Sequence, residues 1–466
     1  MFLSLEQRPP EKTALMDAHG YSATYGELIQ FSECFMKHVK CRCLVYILCE
    51  NCTAAAAGYI ACLSNQVVPL MLSESMDREA LDRYIETYPP SYIWLPDERA
   101  HSFSYTPVMR QMGYTLLKTG LLEYPMRPGL SQLLSTSGST GAPKLVRHSY
   151  ENVSANARSV AQAFGLDSEE RAMVSLPLHF TQGLSTLNSN LFVGATVLLN
   201  AAPLTQKDFW TFLKEQRATS FTGVPYSYEI LWKLRFTRMN LPDLKIINQG
   251  GGRLRDELFL DLANYAKERG IKFIATYGST ETTSRMAYLD PNFATEKCGS
   301  IGQAVPGGEL SLVNDEGVKI VHAGEVGEVV YSGPNVTWGY AQSGADLRKG
   351  DERGGTYYTG DIARYDEDGF FYIVGRKKRF LKLFGYRISL DGVESDLKDK
   401  FGPEVACVGT DKKLIVYTTY EEKIREIKEY TGVKTGIFKT AIEARYIPAI
   451  PKNDAGKTLY ARLCTE

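Results

Sequence analysis

The sequence predicts an α/β protein with a large N-terminal domain, a small β subdomain and a small C-terminal domain. Short apolar runs alternate with amphipathic stretches over about the first 290 residues, which favours largely parallel sheets covered by helices. From about residue 295 the runs become short, β-prone and punctuated by glycine. Residues 376–466 carry a net charge of +6 and the preceding residues −7, a change that indicates a separate basic domain.

The individual elements follow from these runs. The predicted strands of the large domain are CLVYIL, VVPLML, YIWLP, AMVSLPL, ATVLLN, SFTGV, LKIINQG and IKFIATYG. Before the last of them, DELFLDLANYAKERG has the periodicity of an amphipathic helix. The β subdomain is predicted from GELSLVNDEG, GEVGEVVYSG and GGTYYTGDIARYDEDGFFYIVG.

Composition excludes several function classes. The 466 residues are 44% hydrophobic and 23% charged with a net charge of −1, which is typical of a globular protein and gives no sign of nucleic-acid binding. We see no leader pattern and no run of about 18 apolar residues, so we expect a cytoplasmic protein without a membrane span. Cys41, Cys43, Cys49 and Cys52 allow a zinc site, but a buried strand LVYIL between them would hold the two pairs apart.

The stretch STSGSTGAPK, residues 135–144, has the composition of an anion-binding loop. Glycine permits tight torsions, so backbone N–H groups and hydroxyls can turn toward one phosphate. The stretch is not the Walker pattern, because Pro143 stands where that pattern has glycine and Leu145 follows Lys144. An ordinary surface loop is the alternative on composition alone.

Seven separated motifs decide between these interpretations. They are STSGSTGAPK, QGGG at 249–252, YGSTET at 277–282, YYTGD at 357–361, FYIVGRKKR at 371–379, KLFGYRIS at 382–389 and NDAGK at 453–457. In this order and spacing the chain resembles the adenylate-forming (AMP-binding) superfamily. That superfamily includes acyl-CoA synthetases, firefly luciferase and the adenylation domains of nonribosomal peptide synthetases.

The resemblance implies a reaction and its reactants. A small-molecule carboxylic acid attacks the α-phosphate of ATP in the presence of Mg²⁺, acyl-AMP forms and pyrophosphate leaves. A thiol of CoA or phosphopantetheine then takes the acyl group, and a separate acyl carrier protein is a possible partner. The resemblance also implies domains at 1–377 and 378–466, the second a mobile α+β domain.

Site residues are carried over from the matching motifs. Lys457, on the mobile domain, is the expected catalytic lysine between carboxylate and α-phosphate, Thr280 contacts phosphate and Glu281 binds Mg²⁺. Lys378 is the expected hinge, and Gly385 lines the thiol channel. The expected ATP-binding residues are Thr136, Ser137, Gly138, Ser139, Thr140, Gly141, Lys144, Gly250, Gly251, Gly252, Tyr277, Gly278, Ser279, Asp361, Tyr372 and Arg376.

The acyl pocket is expected around His179, Phe180, Gly183 and Tyr277. No Asp or Glu occurs between Arg171 and Asp208, where amino-acid-activating relatives usually place the partner of the substrate ammonium. This favours an uncharged acyl or aryl acid over an amino acid. An amino-acid adenylating enzyme that loads a separate carrier protein is the alternative. A non-catalytic nucleotide-binding protein is disfavoured because both Glu281 and Lys457 are present.

Overall fold

The computed structural model describes residues 2–121, 124–135, 144–383, 386–410, 412–453 and 456–463. For residues 378, 380, 382, 383, 386 and 387 it describes the backbone alone. The strands in these ranges are β1 Thr13–Asp17, β2 Ser22–Thr24, β3 Leu44–Cys49, β4 Val68–Ser73, β5 Tyr92–Pro96, β6 Thr106–Gln111, β7 Tyr114–Lys118, β8 Leu130–Ser135, β9 Leu145–Ser149, β10 Arg171–Val174, β11 Thr196–Leu199, β12 Ser220–Gly223, β13 Ile246–Gln249, β14 Lys272–Ser279, β15 Ser284–Tyr288, β16 Gln303–Ala304, β17 Glu309–Val313, β18 Gly327–Ser332, β19 Tyr340–Ala341, β20 Thr356–Tyr365, β21 Phe371–Arg376, β22 Phe380–Leu383, β23 Tyr386–Ser389, β24 Val405–Thr410, β25 Lys413–Thr418 and β26 Ile442–Tyr446.

The α-helices are α1 Tyr25–Met36, α2 Thr53–Ser64, α3 Arg78–Thr87, α4 Asp97–Ala100, α5 Tyr150–Phe164, α6 Thr181–Val193, α7 Lys207–Glu215, α8 Pro225–Lys233, α9 Asp256–Arg269, α10 Leu390–Phe401 and α11 Ile424–Thr435. Short 3₁₀ turns lie at Phe2–Gln7, Phe236–Arg238, Thr280–Thr282, Pro291–Phe293, Gly344–Arg348, Lys377–Arg379, Glu421–Lys423, Lys439–Ala441 and Tyr460–Arg462.

Two large sheets form the N-terminal body. One has the strand order β16-β15-β14-β13-β12-β10-β11-β1-β2 and is parallel from β14 to β1. The other has the order β19-β9-β8-β4-β3-β5-β7-β6, with a parallel centre of β8, β4, β3 and β5. Central strands such as β3 are buried on both faces, as expected where helices cover both faces of a parallel sheet. The predicted α/β class is therefore confirmed.

The edge of the second sheet frames the predicted phosphate loop. Strands β8 and β9 are antiparallel, and Ser135 pairs with Leu145 at the two ends of the connection. Helix α5 starts immediately after β9 with a capping box, in which Ser149 and Asn152 satisfy each other's backbone N–H groups. The helix ends at Gly165, whose φ of +63° suits glycine.

The β subdomain is the antiparallel sheet β17-β18-β20-β21. Asp361 of β20 lies directly opposite Arg376 of β21. A bulge between Ile362 and Ala363 shifts the register, so that Arg364 then lies opposite Tyr372. A bulge changes which face of the strand the following side chains occupy.

Residues after 380 have a hydrophobic core of their own. The hairpin β22-β23, the sheet β24-β25-β26 and helices α10 and α11 surround a buried cluster that includes Leu397, Val416 and Ile427. A self-contained core is what a separately moving unit needs.

In the described residues, no helix is both long and apolar enough to span a membrane. The predicted strand between the cysteine pairs is β3, with buried Cys49 as its last residue and buried Cys52 three residues later. No three His, Cys, Asp or Glu side chains of the described ranges are placed to hold a metal ion together.

Candidate active site

A buried carboxylate, an arginine and a tyrosine meet where the β subdomain joins the first large sheet. The Tyr277 hydroxyl donates to Asp361 Oδ2, and Arg376 Nε lies 3.2 Å from Asp361 Oδ1. Burial raises the pKa of Asp361, although the hydrogen bond from Tyr277 and the charge of Arg376 act in the opposite direction. Only 16% of the Asp361 side chain is exposed, against 62% of the Arg376 side chain. The carboxylate is therefore enclosed by protein, whereas the guanidinium is accessible to solvent.

Lys457 of the C-terminal unit reaches the same place. Its loop is closed by Asn453, which accepts from the Lys457 N–H at 2.9 Å, and Gly456 packs against Tyr226 of α8. The side chain stays open to solvent in a cleft, yet the surrounding protein lowers the pKa of its ammonium by desolvation. Nearby Arg376 lowers this pKa further, whereas Glu281 and Asp361 raise it. The structure thus brings Lys457, Arg376, Asp361 and Glu281 together.

Glu281 is oriented by an aromatic residue that the motifs did not mark. The Tyr340 hydroxyl donates to Glu281 Oε1 at 2.7 Å, and Lys144 Nζ lies 3.4 Å from the centre of the Tyr340 ring. Burial, and then the charge of Glu281, raise the pKa of Tyr340, so the phenol remains a donor. Tyr340 therefore connects the described end of the predicted phosphate loop to the predicted metal ligand.

The backbone around Glu281 is fixed and strained. The carbonyl of Glu281 accepts from the backbone N–H and the hydroxyl of Thr337, both at 3.0 Å. Thr283 and Ser284 follow with φ of +54° and +97°, in a region that costs non-glycine residues about 1–3 kcal/mol each. Buried Asn335 donates to the Thr282 carbonyl at 2.8 Å and accepts from the Thr283 hydroxyl through its own carbonyl. These bonds hold the turn in its strained form.

Arg353 is a cation of this site that sequence reasoning missed. Its guanidinium lies 4.7 Å from the Tyr340 ring and 4.9 Å from the Tyr357 ring, and it donates to the Thr337 hydroxyl at 2.6 Å. In the described part of the chain it forms no salt bridge. It lines a polar cavity of about 430 Å³ together with Tyr340 and Lys349. A fixed cation beside Glu281 is suited to a polyphosphate.

Replacing Arg353 by Gln is expected to raise the KM for ATP about tenfold or more and to leave the KM for the acid unchanged. A hydrogen-bonded charge contact with phosphate is worth about 1.5–3 kcal/mol, and glutamine keeps polarity without charge. Steady-state kinetics with each substrate varied in turn provide the measurement. Arg348→Gln, an exposed arginine in the same segment, is the matched control. An equal rise in both KM values would assign Arg353 a structural role.

His148 contacts the backbone of the turn Thr280–Thr282. The ring is fully buried at the end of β9, and its Nε2 lies 3.1 Å from the Thr280 carbonyl, so the neutral ring donates there. Burial lowers the pKa of His148 to about 4, against the ordinary value of about 6.5. Folding therefore keeps this imidazole uncharged.

Stability is expected to fall as the pH drops from about 6.5 toward 4. In that window the unfolded chain binds a proton at His148 and the folded chain does not, so protonation favours unfolding by up to roughly 3 kcal/mol. Denaturant unfolding at pH 7 and pH 4.5 measures the difference. The His148→Gln variant, which keeps a donor for Thr280, should show a smaller difference. The same loss in both proteins would contradict the assignment.

The predicted acyl-pocket residues surround the start of α6. The rings of His179 and Phe180 lie 4.4 Å apart in the turn that leads into the helix. Gly183 is required by packing, because a Cβ there would lie 2.4 Å from the Pro177 carbonyl oxygen. At Gly250 a Cβ would lie 2.5 Å from Gln182 Nε2, so this glycine makes room for Gln182. Gln182 is thus a pocket residue that the motifs did not mark.

Other predicted residues have different surroundings. Tyr372 lies across the bulge from Arg376, its hydroxyl donates to Asp366 at 3.2 Å, and Arg364 lies over its ring, so it is not grouped with Asp361. Gly278 is required by the neighbouring strand, since a Cβ would lie 1.4 Å from the Ser284 carbonyl oxygen. Ser279 caps the turn that holds Thr280 and Glu281. Gly251 has φ of +82° and is exposed, as is Gly252.

Several predicted residues lie outside the described ranges. They are Thr136, Ser137, Gly138, Ser139, Thr140 and Gly141 of the phosphate loop and Gly385 of the thiol channel. Lys378 is described as backbone only, within the turn Lys377–Arg379.

The geometry of Glu281 fits a magnesium ion. Mg²⁺ is commonly bound by one or two carboxylates together with substrate phosphates and water. Glu281 is half-buried, accepts from Tyr340 with one oxygen, and forms no ion pair within the described residues. A second carboxylate oxygen is therefore left for a hard cation that also contacts phosphate.

The chain is similar in sequence to known enzymes. Residues 125–341 match the family model of the AMP-binding enzymes. A feruloyl-CoA synthase of an Amycolatopsis species is 30% identical over 342 residues, covering 70% of this chain and 68% of that protein. The oxalate–CoA ligase of Arabidopsis thaliana is 28% identical, covering 73% and 67%.

Solved structures agree in fold. O-succinylbenzoate coenzyme A synthetase from Bacillus subtilis, in complex with ATP and magnesium ion, gives a TM-score of 0.79 at 24% identity and covers 99% of this chain and 98% of that one. An anthranilate CoA ligase in complex with anthranoyl-AMP gives 0.80 at 21% identity, covering 98% and 95%. The predicted fold class and the predicted enzyme class, an AMP-forming acid–thiol ligase, are confirmed. On the family model and the feruloyl-CoA synthase relative together, the chain belongs to the AMP-binding enzyme family.

Proposed function

We propose that this protein joins a small carboxylic acid to a thiol through an acyl-adenylate made from ATP. The observation that carries the proposal is the convergence of Lys457, Arg376 and Asp361 with Glu281, from both ends of the chain, in one cleft. Cations and a metal-binding carboxylate in one cleft match a reaction that brings a carboxylate to a triphosphate. ATP, Mg²⁺ and CoA, the predicted cofactors, agree with the complexes and names of the relatives.

Each half-reaction has its residues. In the first, a carboxylate oxygen attacks the α-phosphorus, the bond to the bridging oxygen breaks, and pyrophosphate leaves. Lys457 offsets the repulsion between the two anions, and Asp361 accepts from the ribose hydroxyls beside Arg376. Mg²⁺ held by Glu281 would supply charge neutralisation of the phosphates. In the second, a thiolate attacks the acyl carbonyl and AMP leaves with the bonding electrons.

The acceptor is CoA in this proposal. The relatives named above are CoA synthases and ligases, and 2-succinylbenzoate–CoA ligase of Bacillus licheniformis is 28% identical, covering 71% of this chain. A separate acyl carrier protein is the alternative acceptor of the acyl group. A cytoplasmic location also stays a prediction from the sequence.

The domains 1–377 and 378–466, with the hinge at Lys378, belong to the same proposal. Two arginines on either side of the hinge support it. Arg376 pairs with Asp361 of the large domain, whereas Arg379 lies 3.1 Å from Glu394 and 3.6 Å from the Tyr460 ring of the small one. Asp391 bridges the two by accepting from the Arg376 N–H and from Arg379 Nε. Rotation at residues 377–378 would break the bond from the Arg376 N–H to Asp391 and keep the bond from Arg379 to Asp391.

Pyrophosphate release from ATP, screened over carboxylic and amino acids with and without CoA, tests the proposal. We expect release with carboxylic acids and faster turnover with CoA. Release with amino acids alone would favour the amino-acid adenylating alternative. A protein that binds Mg–ATP but releases no pyrophosphate with any acid would contradict the proposed function.

A further inference from the structure

A buried arginine stands at the inner end of the predicted acyl pocket. Arg285 of β15 is 2% exposed, and its guanidinium donates to the Ser185 hydroxyl at 2.6 Å and to Asn248 Oδ1 at 2.9 Å. Its aromatic neighbour is Phe164, with the ring centre 5.4 Å from Cζ. The contacts place the charge between α6, which carries Gln182, and β13, which the 250–252 glycines follow.

This cation has no carboxylate partner within the described residues. Ser185 and Asn248 are neutral acceptors, and Arg285 Nε has no hydrogen-bond partner there. Burial lowers the pKa of Arg285 to about 10, so the group remains charged at neutral pH. A buried charge without a counterion is costly, and proteins normally pair it. The fold therefore keeps an unneutralised positive charge at this point.

A small cavity lies beside Arg285. It has a polar lining that includes Thr186, Ser189, Asn190 and Asn248 and an apolar lining that includes Phe164, Phe221 and Ile246. Helix α6 rises about 6 Å from Gln182 to Thr186, so Thr186 lies about one turn further along the helix than Gln182.

The space at Arg285 is small, and Gln182 lies one helical turn before Thr186 of its lining. The free space beside Arg285 is about 10 Å³, roughly that of one water molecule. Gln182 lies beside Gly250, and its Nε2 is buried without a hydrogen-bond partner within the described residues. A ligand oxygen in the pocket would give the N–H groups of this amide an acceptor.

We propose that the acid substrate is a short dicarboxylic acid whose second carboxylate pairs with Arg285. This inference rests on the proposed function and names its substrate class. The guanidinium can donate to both oxygens of a carboxylate, which would neutralise the buried charge. The same charge repels an ammonium group, so it acts against amino acids as substrates. The proposal narrows the expected acyl or aryl acid to one that carries a second carboxylate.

The experiment compares matched acids in the pyrophosphate-release assay with saturating Mg–ATP and CoA. The pairs are butyrate and succinate, valerate and glutarate, and benzoate and terephthalate, each with one carboxylate or two on the same framework. We expect the wild-type kcat/KM to favour the dicarboxylate at least tenfold in one or more pairs. Arg285→Gln should lower kcat/KM for that dicarboxylate about 10- to 100-fold and leave the monocarboxylate unchanged or improved.

Controls separate the possible failures. Arg269→Gln, an exposed arginine at the end of α9, should leave the selectivity unchanged. If Arg285→Gln does not fold, Arg285→Lys keeps the charge, and the wild-type selectivity alone still decides. A wild-type enzyme that prefers the monocarboxylate in every pair would overturn this inference and leave the proposed function standing. If the enzyme releases no pyrophosphate with any acid of either kind, the proposed function is overturned, and this inference with it.

Discussion

Replacing Lys457 by Ala is expected to slow acyl-adenylate formation by about 10²–10³ and to leave thioester formation from supplied acyl-adenylate nearly unchanged. The charges of Glu281 and Asp361 act on this ammonium. In the proposed mechanism it acts only while carboxylate and α-phosphate approach each other. Once the mixed anhydride exists, that repulsion is gone. The measurement is the rate of each half-reaction: pyrophosphate release in single turnover, and CoA thioester formation from synthetic acyl-AMP.

A matched lysine and the pH profile complete this test. Lys439→Ala, on an exposed turn of the same domain, should retain both rates. Because desolvation and Arg376 lower the pKa of Lys457, the wild-type adenylation rate should fall with rising pH before an ordinary lysine would lose its proton. If Lys457→Ala slowed both half-reactions equally, Lys457 would not be specific to adenylation.

Glu281→Gln is expected to lower pyrophosphate release on the order of 10²-fold at millimolar Mg²⁺. The substitution keeps the acceptor for Tyr340 but removes the negative charge that a hard cation prefers. Raising the Mg²⁺ concentration should restore part of the rate, since the remaining amide oxygen is a weaker ligand. The measurement is a magnesium titration of the initial rate.

The Tyr340→Phe variant serves as the comparison for Glu281. It removes the hydrogen bond at 2.7 Å and keeps the carboxylate, so we expect a loss of about tenfold, typical of groups that orient a metal ligand. Near-normal turnover of Glu281→Gln at low Mg²⁺ would remove Glu281 from the metal site.

Local patterns predicted the fold well because the strands are buried on both faces. The run CLVYIL became β3 Leu44–Cys49, and DELFLDLANYAKERG became α9 Asp256–Arg269. A fully apolar strand or an amphipathic helix depends little on distant residues. AMVSLPL gave a shorter strand, β10 Arg171–Val174, because the chain turns at Pro177 to start α6.

The site was predictable only where a motif holds its residues close in sequence. Glu281 and Asp361 lie in such motifs, whereas Tyr340, Arg353 and Arg285 reach the site through tertiary packing. The absence of an acidic residue near α6 predicts that the pocket holds no partner for an ammonium group. It did not reveal the cation, because Arg285 comes from β15, about 100 residues later in the chain. The sequence also does not show the bulge that separates Tyr372 from Arg376, so the placement of Tyr372 in the nucleotide site stays a prediction.

Tyr340 provides a physical link between the two ends of the proposed nucleotide site. A cation lies over its ring and a carboxylate accepts from its hydroxyl, so one side chain responds to both. In the proposed mechanism Lys144 leaves the ring for a phosphate, which gives up about 0.5–2 kcal/mol of cation–π attraction. Because the same ring carries the hydroxyl that contacts Glu281, binding of nucleotide would then change the affinity for metal. By reciprocity, metal would change the affinity for nucleotide by the same factor.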